Sequence, residues 1–147
     1  MITIVEDDET LYRRVVYKPD NWHVDEIGEL RVTQSAFSDP HNQPSVDRAK
    51  LCDNKPAWTQ QGDDRNGVVS LLTIEVRALA DIVTNSQPPQ VHQIDVIHRP
   101  EQNNDAHAQI EADPAIASKG TFKRFRASLA FLANKRGWLI KPLDYRV

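Results

Sequence analysis

Three short stretches of the chain carry side chains that could act together on an anion or a proton. They are the adjacent pair Arg13 and Arg14, the run Ser45, Asp47 and Arg48 within "PSVDR", and His107 with Glu111 in "HAQIE". A guanidinium presents a planar fork of donors that fits a phosphate or carboxylate at two points, so the arginines are candidate ligand-binding groups. Neighbours in a regular strand point to opposite faces. One of Arg13 and Arg14 therefore faces inward and needs a counter-charge, either an internal Asp or Glu or an anionic ligand. His107 and Glu111 share strand parity, which suits an acid–base pair projecting into a cleft and equally the polar outer face of a half-buried sheet. "PSVDR" reads as a turn, because Pro44 sets the backbone and Ser and Asp side chains bond nearby N–H groups, although Ser45, Asp47 and Arg48 are also ligand-binding candidates.

These groups need a scaffold, and the patterning points to α+β: a single compact domain of short, mostly antiparallel strands with one principal helix near the C-terminus. "ITIV" and "LYRRVVY" read as strands, as do "LRVTQSAF", "QVHQIDVIH", "AHAQIEA" and "WLIKPL", because β-branched and aromatic residues cluster between polar breaks. "GVVSLL" reads either as a buried strand capped by Thr73 into a short helix or as one longer element. Residues 38–67, rich in Pro, Gly, Asn, Asp and Gln, read as one long polar loop, and loops of that length tend to be functional. From 118 to 136 Phe122, Phe125, Leu129 and Leu132 fall on one stripe of a helical wheel, and Gly137 stands where a glycine cap belongs.

The 147 residues are enough for one ordinary domain that buries roughly 68–70% of its extended surface. No apolar run approaches the roughly 20 residues of a membrane span, and the acidic start "MITIVEDDE" lacks the order of a secretory signal, so a cytoplasmic protein with no membrane contact is expected. One cysteine, Cys52, allows no internal disulfide and no thiolate zinc knuckle. No Gly-rich phosphate loop, GxSxG elbow, HExxH or Walker sequence is present, so no cofactor and no metal is assigned, and the catalytic candidates are limited to Ser35, His107 and Glu111.

Charge is unevenly distributed. Residues 118–147 hold eight basic residues against one acid, a net +7, and the whole chain is −3, which leaves −10 for residues 1–117. A basic helix suits a solvated face, an acidic protein surface or phosphate contact. Its cations spread around the solvent arc, so nucleic acid is possible but not favoured over a protein partner. Lys123, Arg124 and Lys135 are the candidate contact residues, with Phe131 opposite the apolar stripe as the aromatic among them.

Four segments in order resemble a family of small uncharacterised bacterial proteins in which a YRR strand, an S-x-AF segment, an SVDR-like loop and an N-x-AHA-x-I segment recur. In this chain they are "LYRRV", "TQSAFSD", "PSVDRAKL" and "NDAHAQIEA", within residues 10–112. The resemblance implies a soluble bacterial origin and no assigned activity. The order arginine, serine, late glutamate is also loosely similar to ADP-ribosyltransferases. That likeness implies that Arg13 or Arg14 holds dinucleotide phosphates, Ser35 steadies the nicotinamide side and Glu111 polarises the ribose, although no paired acid precedes Glu111. The expected function is thus a binding or accessory module for a partner protein or an anionic ligand, as in a defence or conflict system. The alternative is a small enzyme acting on a nucleotide or NAD-like substrate.

Overall fold

The computed structural model describes residues 3–145. In chain order they form β1 (Thr10–Val15), β2 (Trp22–Val24), β3 (Leu30–Val32), β4 (Ser45–Arg48), β5 (Gly67–Leu72), α1 (Thr73–Arg77), β6 (Val83–Thr84), β7 (Gln90–Val91), β8 (Gln93–His98), β9 (His107–Asp113), α2 (Lys119–Arg136) and β10 (Trp138–Ile140). Six of these strands make one antiparallel sheet in the order β10-β5-β1-β4-β9-β8, with α2 as the main helix, so the fold is α+β.

Alternation along the strands decides which face is covered. Leu11 and Val15, Val69 and Leu71, Ala108 and Ile110, and Ile94 and Val96 all join the core that receives Phe122, Phe125, Leu129 and Leu132 of α2. The helical stripe expected from the sequence is thus the buried face, and each such side chain contributes about 1.5–3 kcal/mol by leaving water. Ser118 caps α2 by accepting from the Thr121 N–H at 3.3 Å. Gly137 ends it at φ +83°, a conformation that favours glycine. The chain then returns as β10 along β5. Gly67 lies under this return, where a Cβ would come within 2.7 Å of the Trp138 ring, so only glycine lets the two strands approach.

A second, smaller apolar cluster of Tyr12, Ala49, Cys52, Val68 and Ala106 lies on the opposite face, apart from the main core. The segment 38–67, expected as one loop, contains β4 and two 3₁₀ turns, Ala49–Cys52 and Pro56–Gln60. "SVDR" is therefore a central strand and not a turn. Four residues bearing a buried carboxylate and a buried guanidinium have no apolar alternation from which a strand could be read. "LRVTQSAF" also divides, into β3 and a 3₁₀ turn at Gln34–Phe37. Of "ITIV", Ile2 lies outside the described part, and Thr3 to Val5 lie outside any strand.

Candidate functional site

Strands β1 and β4 pair at only two positions, Leu11 with Arg48 and Tyr12 with Asp47. Beyond Tyr12 the ladder stops, and the Arg13 side chain takes its place. Its guanidinium donates to the carbonyls of Ser45 (2.8 Å), Ala36 (3.0 Å) and Ser38 (3.0 Å) and lies 5.7 Å from the Phe37 ring centre. Arg13 is the inward arginine of the pair, and its partners are backbone oxygens in place of the expected carboxylate or ligand. Burial pulls its pKa down to about 10, with Asp39 partly offsetting, so it stays charged at neutral pH.

Where the strands part, a cleft of about 440 Å³ opens on the outer face of the sheet. Tyr12, Arg13 and Arg14 of β1 and Ser45 and Asp47 of β4 line its floor, together with His107 of β9, which is Asp47's cross-strand partner. Ser38 and Asp39 form one rim, Thr59 and Gln61 another, and the β8–β9 turn Glu101–Asn104 closes the far side. Asp47 is buried, accepting from Thr59 Oγ1 at 2.8 Å and from Asn104 Nδ2 at 2.9 Å. His107 donates through Nδ1 to the Arg99 carbonyl at 2.7 Å, which fixes a proton on that nitrogen and turns Nε2 toward Glu101 Oε1, 3.7 Å away. Burial raises the pKa of the Tyr12 phenol, so it is a neutral donor in the cleft.

Arg14 differs from these neighbours. Its guanidinium lines the cleft without a hydrogen bond or ion pair among the described residues, whereas Arg31, Arg65, Arg77 and Arg99 each hold a carboxylate. The cleft therefore has a planar donor fork with no internal partner among the described residues at the β1 side and a carboxylate, Glu101, two strands away.

Of the residues expected from the sequence, Arg13, Arg14, Ser45, Asp47 and His107 come together here, and Ser35, Arg48 and Glu111 do not. Ser35 donates to the Asp20 carbonyl at 2.7 Å, beside the 3₁₀ turn that holds it. Arg48 has the parity of Val46, so it enters the helix-covered side, where it is fully buried. There it donates to Glu9 at 2.8 and 2.7 Å, to the Ile4 carbonyl at 2.9 Å and to His98 Nδ1 at 3.1 Å. Glu111 lies about 13 Å along β9 from His107 and takes both arms of Arg99, at 2.8 and 3.0 Å. His107 and Glu111 thus both hold Arg99, one by its carbonyl and one by its guanidinium, and do not form a pair with each other. The arginine, serine and glutamate of the ADP-ribosyltransferase analogy are correspondingly not assembled in one cleft.

The groups that sequence reasoning missed are Tyr12, Asp39, Thr59 and the Glu101–Asn104 turn. Only the amide-rich "EQNND" after Pro100 signalled a turn, and nothing local placed it over β4. Cys52 is buried, and burial together with the nearby Asp47 charge pushes its thiol up to about 11, so it is no thiolate nucleophile. Among the described residues no group of three His, Cys, Asp or Glu is placed to hold a metal. His92 is a core histidine, bonded to the Pro114 carbonyl at 2.6 Å and Thr84 Oγ1 at 2.7 Å. On α2, Lys123 and Arg124 are exposed, although Arg124 also reaches the Val83 carbonyl. Phe131 is 66% exposed, and Lys135 sits 5.7 Å above its ring while pairing with Glu75 at 3.3 Å.

No family model, no curated protein and no solved structure matches the chain, so the functional reading rests on the geometry.

Proposed function

We propose that this protein is a binding module for a small anionic, hydroxyl-bearing ligand of the sugar-phosphate or nucleotide class, held in the cleft between β1 and β4. The observation that carries this reading is Arg14, a guanidinium in a polar concavity with no internal counter-ion among the described residues. Its fork takes the anionic group. Asp39, Tyr12 and Glu101 are placed to meet hydroxyls, and Glu101 disfavours a second anion at the far side. Binding is favoured over catalysis because Asp47 has both oxygens engaged, His107 is pinned by a carbonyl and Ser45 Oγ has no base beside it among the described residues.

A thermal-shift screen against NAD, ATP, cyclic nucleotides and phosphorylated sugars tests this. A ligand at 100 times its dissociation constant stabilises by about 2.7 kcal/mol, a rise of several degrees, and Arg14→Gln abolishes that rise. The absence of any shift, or a shift that survives Arg14→Gln, counts against the cleft.

A protein partner on α2 is the second reading, favoured by the exposed Phe131 ring beside Lys135. Under it, a partner that co-purifies with the wild-type protein is lost with Phe131→Ser while the melting temperature holds; retention of the partner removes this face from consideration. The setting that accompanies both readings is the bacterial cytoplasm, with a defence or conflict system as one context. It is supported by the sequence resemblance and by a buried thiol needing no disulfide, and none of the described helices is long and apolar enough to cross a membrane.

A further inference from the structure

Cationic side chains continue past the rim of the cleft. Ser38 and Asp39 form a ridge shared with a second concavity of about 440 Å³, whose other walls include Lys119, Phe122 and Arg126 of α2. Arg126 lies 4.9 Å over the Phe122 ring and donates from Nη1 to Ser38 Oγ at 3.2 Å. Its Nε is shut away from solvent without a hydrogen-bond partner, and no carboxylate is within ion-pair distance of Arg126 or Lys119 among the described residues. Burial lowers the Arg126 pKa with nothing offsetting it. A guanidinium with one N–H shut away unpartnered, lining one concavity with an ammonium and in no ion pair among the described residues, leaves donors that a bound anion can take. Asp39, on the ridge, does not take them. Its Oδ2 accepts from the backbone N–H groups of His41 (2.8 Å) and Gln43 (3.0 Å), and it makes no ion pair with Arg126 or Lys119 among the described residues.

Building on the ligand site proposed for the cleft, we infer that its ligand carries two anionic groups of the phosphate or carboxylate type. The first is held by Arg14, and the second crosses the Ser38–Asp39 ridge to Lys119 and Arg126. A small molecule fits better than a nucleic-acid strand. The rings in the two concavities, Tyr12 and Phe122, are 5% and 4% exposed, so neither wall offers a stacking platform for bases.

Calorimetric titration with butylphosphonate and with a series of straight-chain α,ω-bisphosphonates of increasing length separates this inference from the reading beneath it. Butylphosphonate binds the wild type and is lost with Arg14→Gln. At least one bisphosphonate binds about tenfold tighter or more, because its second group acts at a high effective concentration. Lys119→Gln with Arg126→Gln removes that gain and leaves butylphosphonate affinity unchanged, and Lys119→Gln alone removes part of it. A gain that is absent at every length, or that survives the double change, overturns the second subsite and leaves the cleft standing. Failure of butylphosphonate and every bisphosphonate to bind overturns both. Oligothymidylate binding tighter than every bisphosphonate overturns the small-molecule assignment.

Discussion

Glu9→Gln lowers the melting temperature by on the order of 10 °C, the largest loss expected from any polar substitution in this protein. The pair it breaks is bidentate, at 2.8 and 2.7 Å, between a fully buried guanidinium and a carboxylate only 5% exposed. Removing one partner of a buried pair costs about 3–5 kcal/mol, because the remaining charge loses what offset its desolvation. Each kcal/mol is worth about 2–4 °C in a domain of this size. The double variant Glu9→Leu, Arg48→Met recovers much of the loss, since apolar side chains of similar volume need no such compensation. Circular dichroism melts of the three proteins decide it, and a Glu9→Gln melt within 2 °C of the wild type would refute the argument.

The same cluster makes the fold acid-labile. Burial alone would raise the Glu9 pKa, but hydrogen bonds from Arg48 and the Glu6 N–H, with the Arg48 charge, hold it below its ordinary 4.5. The unfolded chain then takes up that proton first, so the stability Glu9 contributes is complete above about pH 4.5 and drains away below it. Burial, reinforced by Arg48, also lowers His98 below 6.5, and the Arg48 N–H donating to Nδ1 requires that nitrogen unprotonated. His98 therefore begins the loss near pH 6.5, and Glu9 extends it. In Glu9→Gln the lower part of this acid limb is missing while the upper part remains, which urea midpoints between pH 7.5 and 4 measure directly.

Arg13→Met costs about 2–4 kcal/mol and abolishes the ligand binding proposed for the cleft, although the proposed anion contact is Arg14. Three carbonyls lose a charged donor, and water recovers the bond at the exposed Ser38 and part of the two half-buried ones, so the loss stays below the roughly 4.5–9 kcal/mol of three full bonds at about 1.5–3 kcal/mol each. Arg13→Lys does little better, because a single ammonium cannot span three oxygens that the guanidinium fork reaches together. Arg14→Gln, by contrast, stays within about 0.5 kcal/mol of the wild type, as expected of a side chain without internal partners. Melting temperatures and amide exchange across Gln34–Phe37 and β4 separate the two arginines. Equal stability of Arg13→Met and the wild type would show that the guanidinium does not hold the strands apart.

What the sequence determined by itself is whatever depends on periodicity within one element. The stripe Phe122, Phe125, Leu129 and Leu132, with Gly137 after it, specified α2 and its buried face, and the apolar spacing in β8 and β9 specified two strands. Adjacency likewise required one of Arg13 and Arg14 to face inward. Which one, and what it bonds, was decided by tertiary structure, because the answer is three carbonyls supplied by residues 23 to 32 positions away. "SVDR" was illegible as a central strand, since Asp47 and Arg48 are buried by partners 12 to 57 residues distant and lack any apolar signature of their own. The cleft exists only because β1 and β4 part after two pairs, and because the Glu101–Asn104 turn comes to rest over the gap. Register and loop convergence are set by contacts far apart along the chain, and local spacing carries no record of them.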